Sequence, residues 1–142
     1  MNHCIFCQII NQAVPAHVLY ENDFVIAFLS LENHPMIVPK KHIRDIFELD
    51  DVYAAEIMKA AVKVAKATRA ALGCEGVNLI QSNGKAAGQE VFHFHLHIKP
   101  RWRGDDVSLA WGINPAGESL KEKLCADIRR SLGRPNTLGS FE

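Results

Sequence analysis

Three imidazoles at alternate positions, His93, His95 and His97, are the residues of this chain best suited to chemistry. They sit in Val91-Phe92-His93-Phe94-His95-Leu96-His97-Ile98-Lys99-Pro100, where polar and apolar residues alternate. An extended strand has a side-chain period of two, so it would send the histidines to one face and Phe92, Phe94, Leu96 and Ile98 to the other. A helix would scatter the rings around its circumference. Pro100 is expected to end the strand, because it brings no ladder donor. Three imidazoles on one face can ligate a metal, or one ring can attack an electrophile while another moves a proton. The bland alternative is a half-buried strand with a polar outer face. Thr, Lys or Glu would serve that purpose without titrating near neutrality.

Two thiols three positions apart, Cys4 and Cys7, form a second grouping. Such a pair can grip a metal ion or act as a redox couple, but no thioredoxin-like βαβ pattern follows it. It is half of a metal site and needs two further ligands. A third grouping is the loop at residues 82–90, Ser-Asn-Gly-Lys-Ala-Ala-Gly-Gln-Glu, which runs directly into the histidine segment. Glycines let backbone N–H groups approach a ligand closely, and such concave turns hold anions. Most glycine-bearing loops are only turns; this one stands beside three histidines.

The elements that must position these groups can be read from the rest of the chain. With 142 residues, 48% hydrophobic and 23% charged, the sequence describes one ordinary globular domain. Its zero formal net charge argues against nucleic acid or anionic lipid held by bulk charge. No apolar run approaches a membrane span, and the N-terminus lacks a basic stretch followed by an apolar one. A cytoplasmic protein with reduced cysteines is expected. Residues 17–21 and 24–29 read as a hairpin around Asn22-Asp23, and residues 35–39 as a third strand bracketed by prolines. A long helix starts at Asp50-Asp51, with Tyr53, Ile57, Ala60, Ala61, Val64, Thr68 and Leu72 on one stripe and Gly73 as its stop. Residues 77–81 read as a fourth strand. Residues 107–111 are apolar and suited to pack on the core or a partner, and a second helix spans about residues 118–132 before a frayed tail from Arg134.

The histidine segment resembles the signature of the histidine triad family, and Ala87-Gly88-Gln89-Glu90-Val91 resembles that family's lead-in. His34-Pro35-Met36-Ile37-Val38-Pro39-Lys40-Lys41-His42 is similar to its second block, and Cys4-Ile5-Phe6-Cys7 to the opening of its zinc-bearing bacterial members. The resemblance covers residues 3–106 as a histidine triad domain, and leaves 107–142 as a C-terminal extension. It implies an α+β fold: an antiparallel sheet backed by one long helix, with a C-terminal helix, assembled as a homodimer. It implies a hydrolase or nucleotidyl transferase that cleaves a nucleoside monophosphate from a phosphoramidate or a (di)nucleoside polyphosphate, with a purine nucleotide conjugate as substrate. His95 would be the nucleophile and carry the nucleotidyl group covalently, His97 would donate to phosphate or leaving group, and His34 would orient the rings or bond the nucleotide. Ser82, Asn83, Gly88 and Gln89 would bind the nucleotide. Cys4, Cys7, His42 and His93 would hold a structural zinc ion.

Two departures stand out. Many family members carry an acidic residue, for ribose hydroxyls, where this chain has Ser30, and the loop from there to His34 is several residues shorter. Glu90 replaces a serine common near the leaving group. Two other readings compete: a zinc hydrolase whose catalytic metal is held by all three histidines, and a non-catalytic nucleotide-binding dimer acting as a regulatory module.

Overall fold

The computed structural model describes residues 3–110, 112 and 117–133. By contact the chain divides into residues 1–107 and 108–142. In the first unit a short helix α1 (Ile5–Ile10) precedes strands β1 (Val18–Glu21), β2 (Val25–Leu29) and β3 (Pro35–Pro39). Helix α2 (Asp51–Leu72) follows, then β4 (Gly76–Ile80) and β5 (Leu96–Arg101). The strands form one antiparallel sheet in the order β1-β2-β3-β5-β4. The fold is α+β, an antiparallel sheet backed by one long helix.

Helix α2 begins where the Asp50 carboxylate accepts the Tyr53 N–H at 2.9 Å, and ends at Gly73, whose φ of 62° suits glycine. Ile57, Ala60, Ala61, Val64 and Thr68 are buried, while Leu72 at the end of the anticipated stripe is exposed. The small alanines let the helix lie close on the sheet, against Val25, Ala27, Ile37, Leu96 and Ile98. The alternate residues Ile26, Phe28, Met36 and Val38 point to the opposite face, where Phe6, Ile9 and Ile10 of α1 cover them. This opposite face carries the site, since His97 pairs with Met36 across β3 and β5.

Two sequence expectations change here. The histidine strand begins at Leu96 rather than Val91, and it runs through Pro100 to Arg101. The upstream residues leave the ladder because their backbone groups are taken elsewhere. The Phe94 N–H bonds the Ile43 carbonyl at 2.6 Å, and the His93 carbonyl accepts from the His95 ring. Pro100 is tolerated opposite Val77, and the strand closes with Arg101 forked onto Asp105. That guanidinium holds the Asp105 carboxyl well below the usual carboxylate range. The second unit's helix α3 (Glu118–Leu132) starts at Gly117 and presents Leu120, Leu124, Ile128 and Leu132 as an exposed stripe. Of the apolar stretch before it, Ser108 to Ala110 are exposed; Trp111 and the tail from Arg134 lie outside the described residues. No helix among the described residues is long and apolar enough to cross a membrane.

Candidate functional site

The histidines separate into two groups with different surroundings. His93 is fully buried, and its Nε2–H donates to the Pro39 carbonyl at 2.8 Å. A carbonyl only accepts, so the neutral ring's lone pair lies on Nδ1. That nitrogen faces Cys4 Sγ at 3.4 Å and Cys7 Sγ at 3.6 Å, while His42 Nδ1 lies 3.3 Å from Cys7 Sγ. The four ligand atoms lie within 4.8 Å of one another. In a tetrahedral zinc site the usual bond lengths put N and S about 3.5 Å apart, so donor set and spacing both fit a metal ion of that kind. Burial pushes the His93 pKa down to about 4, helped by the neighbouring His42 and His95 and opposed by the Pro39 bond. Burial also pushes the Cys7 thiol up, with Cys4 adding to it, so a metal arriving there must displace a proton.

Local folding explains the gathering. Cys4 caps α1 and Cys7 lies one turn on, so both thiols fall on one side of the helix. Phe6 between them is buried and packs edge-on against Phe28 at 5.6 Å, His93 at 5.8 Å and His95 at 5.2 Å. This aromatic separates the two histidine groups. It went unassigned in the sequence, although Phe6, Ile9 and Ile10 already carry helical spacing.

The second group is His34, His95 and His97. The His95 Nδ1–H donates to the His93 carbonyl at 2.7 Å, which leaves Nε2 without a proton in the neutral ring. His97 lies edge-on to His95 with ring centroids 5.0 Å apart. Its Nδ1 is 2.8 Å from His34 Nε2, so its own Nε2 is the nitrogen left for a ligand. Burial pushes the His97 pKa down to about 4, with His95 and His34 adding to the effect. Burial lowers His34 as well, with Lys99 adding to it and Glu32 opposing. Both rings are therefore neutral near pH 7.

The loop ahead of the histidines is held mainly by its own atoms. Gln89 is buried; its Oε1 accepts from the Gly84 N–H at 2.7 Å and its Nε2 donates to the carbonyls of Arg44 (2.8 Å) and Val91 (3.1 Å). Its amide therefore braces the loop against residues 43–44, the stretch that also receives the Phe94 N–H. Gly88 adopts φ 85°, a left-handed turn natural to glycine. Asn83 Oδ1 accepts the Ile46 N–H at 2.7 Å, and its amide pairs with Gln81. Ser82 is half-buried beside it, its carbonyl accepting from Gln81 at 3.1 Å. Glu90 is exposed and lines a cavity of about 600 Å³ with His3, Cys4, Ile5, His42, Val91 and Phe92, on the thiol side. Cys74 is a buried free thiol and Cys125 an exposed one.

The three histidines of the signature thus do not converge on one point. The lone pair of His93 turns to the thiols, and a single metal held by His93, His95 and His97 does not match that arrangement.

Comparison with known proteins agrees with this fold. The HIT domain matches residues 11–104. The chain is similar to protein hit of Bacillus subtilis, with 39% identity over 137 residues that span 93% of each. It is also similar to the adenosine 5'-monophosphoramidase of Saccharomyces cerevisiae, with 36% identity over 125 residues covering 85% of this chain and 75% of that protein. The crystal structure of a HIT-family member from Bacillus subtilis superposes with a TM-score of 0.87 at 33% identity, covering 94% of this chain and 99% of that one.

Proposed function

We propose that this chain, which belongs to the HIT-domain family, releases a nucleoside monophosphate from a phosphoramidate or (di)nucleoside polyphosphate through a nucleotidyl intermediate on His95. One observation carries the reading. The His93 carbonyl takes the Nδ1 proton of His95 and so leaves an unprotonated Nε2 on a half-buried ring. That is the form in which imidazole attacks phosphorus.

His95 Nε2 attacks the α-phosphorus, the bond to the leaving group breaks, and the leaving group departs with the electron pair and takes up one proton. Water then attacks the same phosphorus, the P–N bond returns its pair to Nε2, and one proton is released. The leaving group's proton comes from solvent; His97, whose bare Nε2 lies beside the reacting ring, takes the proton of the attacking water and hands it back to solvent, a role typically worth about 10²–10⁴ in rate. Backbone N–H groups beyond Gln89, whose own N–H is taken by the Gly84 carbonyl, together with Ser82 and Asn83 at the loop's start, hold phosphate oxygens where charge builds. Gln89 keeps that loop in shape through its three backbone bonds. The kinship with a yeast adenosine 5'-monophosphoramidase favours a purine nucleotide and an amine leaving group.

Zinc is the metal that best suits the Cys4, Cys7, His42 and His93 donor set, as a closed structural ion that ties α1 to the sheet. A homodimer is the assembly we assign, since β4 ends the sheet and offers its outer ladder edge to a second copy. We place the protein in the cytoplasm, where its thiols stay reduced. The test is incubation of the full chain with an adenosine 5'-phosphoramidate and with a diadenosine polyphosphate. Release of AMP from either supports the reading; release from neither by the metal-loaded protein refutes it.

A further inference from the structure

We propose that Glu32 is a positioning residue of this site: its carboxylate accepts the Nδ1 proton of His34 and so sets the tautomer of both His34 and His97. The inference rests on the reading of His95 and His97 given above and adds a part that the shortened loop supplies.

The starting point is an unpartnered atom. His34 is 5% exposed, and its Nδ1 is the one buried side-chain nitrogen or oxygen without a hydrogen-bond partner among the described residues. Orphans of this kind are rare because a buried polar atom loses water and gains nothing in exchange. Glu32 Oε2 lies 3.8 Å from it, beyond a hydrogen bond but within one side-chain rotation. The Glu32 side chain is 76% exposed, so that rotation disturbs no packing. Lys99 Nζ lies 3.9 Å from the same oxygen.

The loop is built to put Glu32 there. The Ser30 hydroxyl accepts the N–H groups of Glu32 (3.2 Å) and His34 (3.3 Å), and Asn33 takes a left-handed φ of 61°. Ser30 is thereby spent inside the turn, and the only carboxylate of residues 30–34 is carried over the His34 ring.

Direction follows from valence. A carboxylate only accepts, so His34 must carry its proton on Nδ1. A neutral imidazole has one such proton, so His34 Nε2 is bare and accepts from His97 Nδ1–H across the observed 2.8 Å. His97 then presents a bare Nε2 to the substrate, and when that nitrogen takes a proton, the chain His97–His34–Glu32 ends on a negative charge that stabilises it. Were Lys99 to serve His34 Nδ1 in place of Glu32, both tautomers would reverse. Glu32, Lys99, His34 and His95 are the charged or titratable groups facing His97.

Imidazole ¹⁵N spectra of the full metal-loaded chain, with steady-state kinetics on the phosphoramidate, test this. We expect Nδ1–H, bare-Nε2 rings for both His34 and His97 in the unmodified protein. Glu32→Ala should give mixed tautomers and lower kcat about tenfold, with KM within about twofold. Glu32→Gln, whose carbonyl still accepts, should restore most of both. Lys99→Met should leave the tautomers unchanged. An Nε2–H ring at His34 in the unmodified protein overturns the proposal. So does an unchanged ¹⁵N spectrum in Glu32→Ala, or a rise in KM alone, which marks a substrate contact. Any of these leaves the role of His95 standing, because that role is read from loss of turnover in His95→Ala.

Discussion

His93 and His95 are drawn from one stretch of chain and end in opposite conditions. His93 is sealed, its lone pair aimed at two thiols; His95, two residues on, keeps an open nitrogen. Residue type does not distinguish them. The difference is made by the backbone carbonyl each ring meets and by which ring nitrogen that carbonyl engages. Pro39 takes Nε2 of His93 and so turns Nδ1 inward, while the His93 carbonyl takes Nδ1 of His95 and so turns Nε2 outward. In the function proposed above, one group therefore holds the fold and the other is free to react.

Substitutions should separate the two groups cleanly. His95→Ala should lower turnover by about 10⁴-fold or more, as removal of a nucleophile does, with metal content and Tm unchanged; steady-state assay and metal analysis check it. His97→Gln should lower kcat by about 10²–10³-fold, because an amide cannot cycle a proton. On the other side, Cys7→Ser should release the metal and reduce unfolding stability by about 3 kcal/mol, while activity per folded molecule stays within a few-fold. Denaturant titration with metal analysis reads it, and a chelator should likewise inactivate only as fast as the protein unfolds. If Cys7→Ser abolishes activity in a fully folded protein, the division of labour is wrong.

The smallest effect is on pH dependence. His97 is pushed down to about 4 in the folded protein, against an ordinary value of about 6.5 in the unfolded chain. Between those values the unfolded chain binds a proton that the folded ring refuses. Stability from this group is complete above about pH 6.5 and is lost as pH falls towards about 4. Tm should drop across that window by roughly 5 °C, and His97→Asn should flatten the slope.

How much of this was legible beforehand depended on length and on locality. Twenty-two residues of helix repeat their apolar spacing often enough that cap, stripe and stop could all be read. In the six residues of α1 the helical spacing of Phe6, Ile9 and Ile10 appears only once, too short a run to identify a helix, so the element that carries Phe6 and Cys7 and is capped by Cys4 is not foreseen. Alternation across residues 91–98 suggested one strand, yet only the part from Leu96 joins the ladder. The bond from Phe94 N–H to Ile43 depends on a contact across fifty residues of chain, which spacing does not reveal. The Cys4, Cys7, His42 and His93 grouping was proposed through family resemblance, and the structure brings those four together. Gln89 was expected to reach phosphate; its amide is instead turned to three backbone groups, a choice visible only once Arg44 lies beside it. Glu32 gave no signal, because its interest lies in the unpartnered nitrogen of His34 and not in any motif.

The most direct measurement of the central claim is mass spectrometry of the protein quenched in base, where a P–N bond survives, during turnover of an adenosine 5'-phosphoramidate. The account predicts a nucleotidyl adduct on the peptide bearing His95 and none in His95→Ala. Full turnover in the His95→Ala protein, or an adduct on His93 or His97 instead, would contradict it.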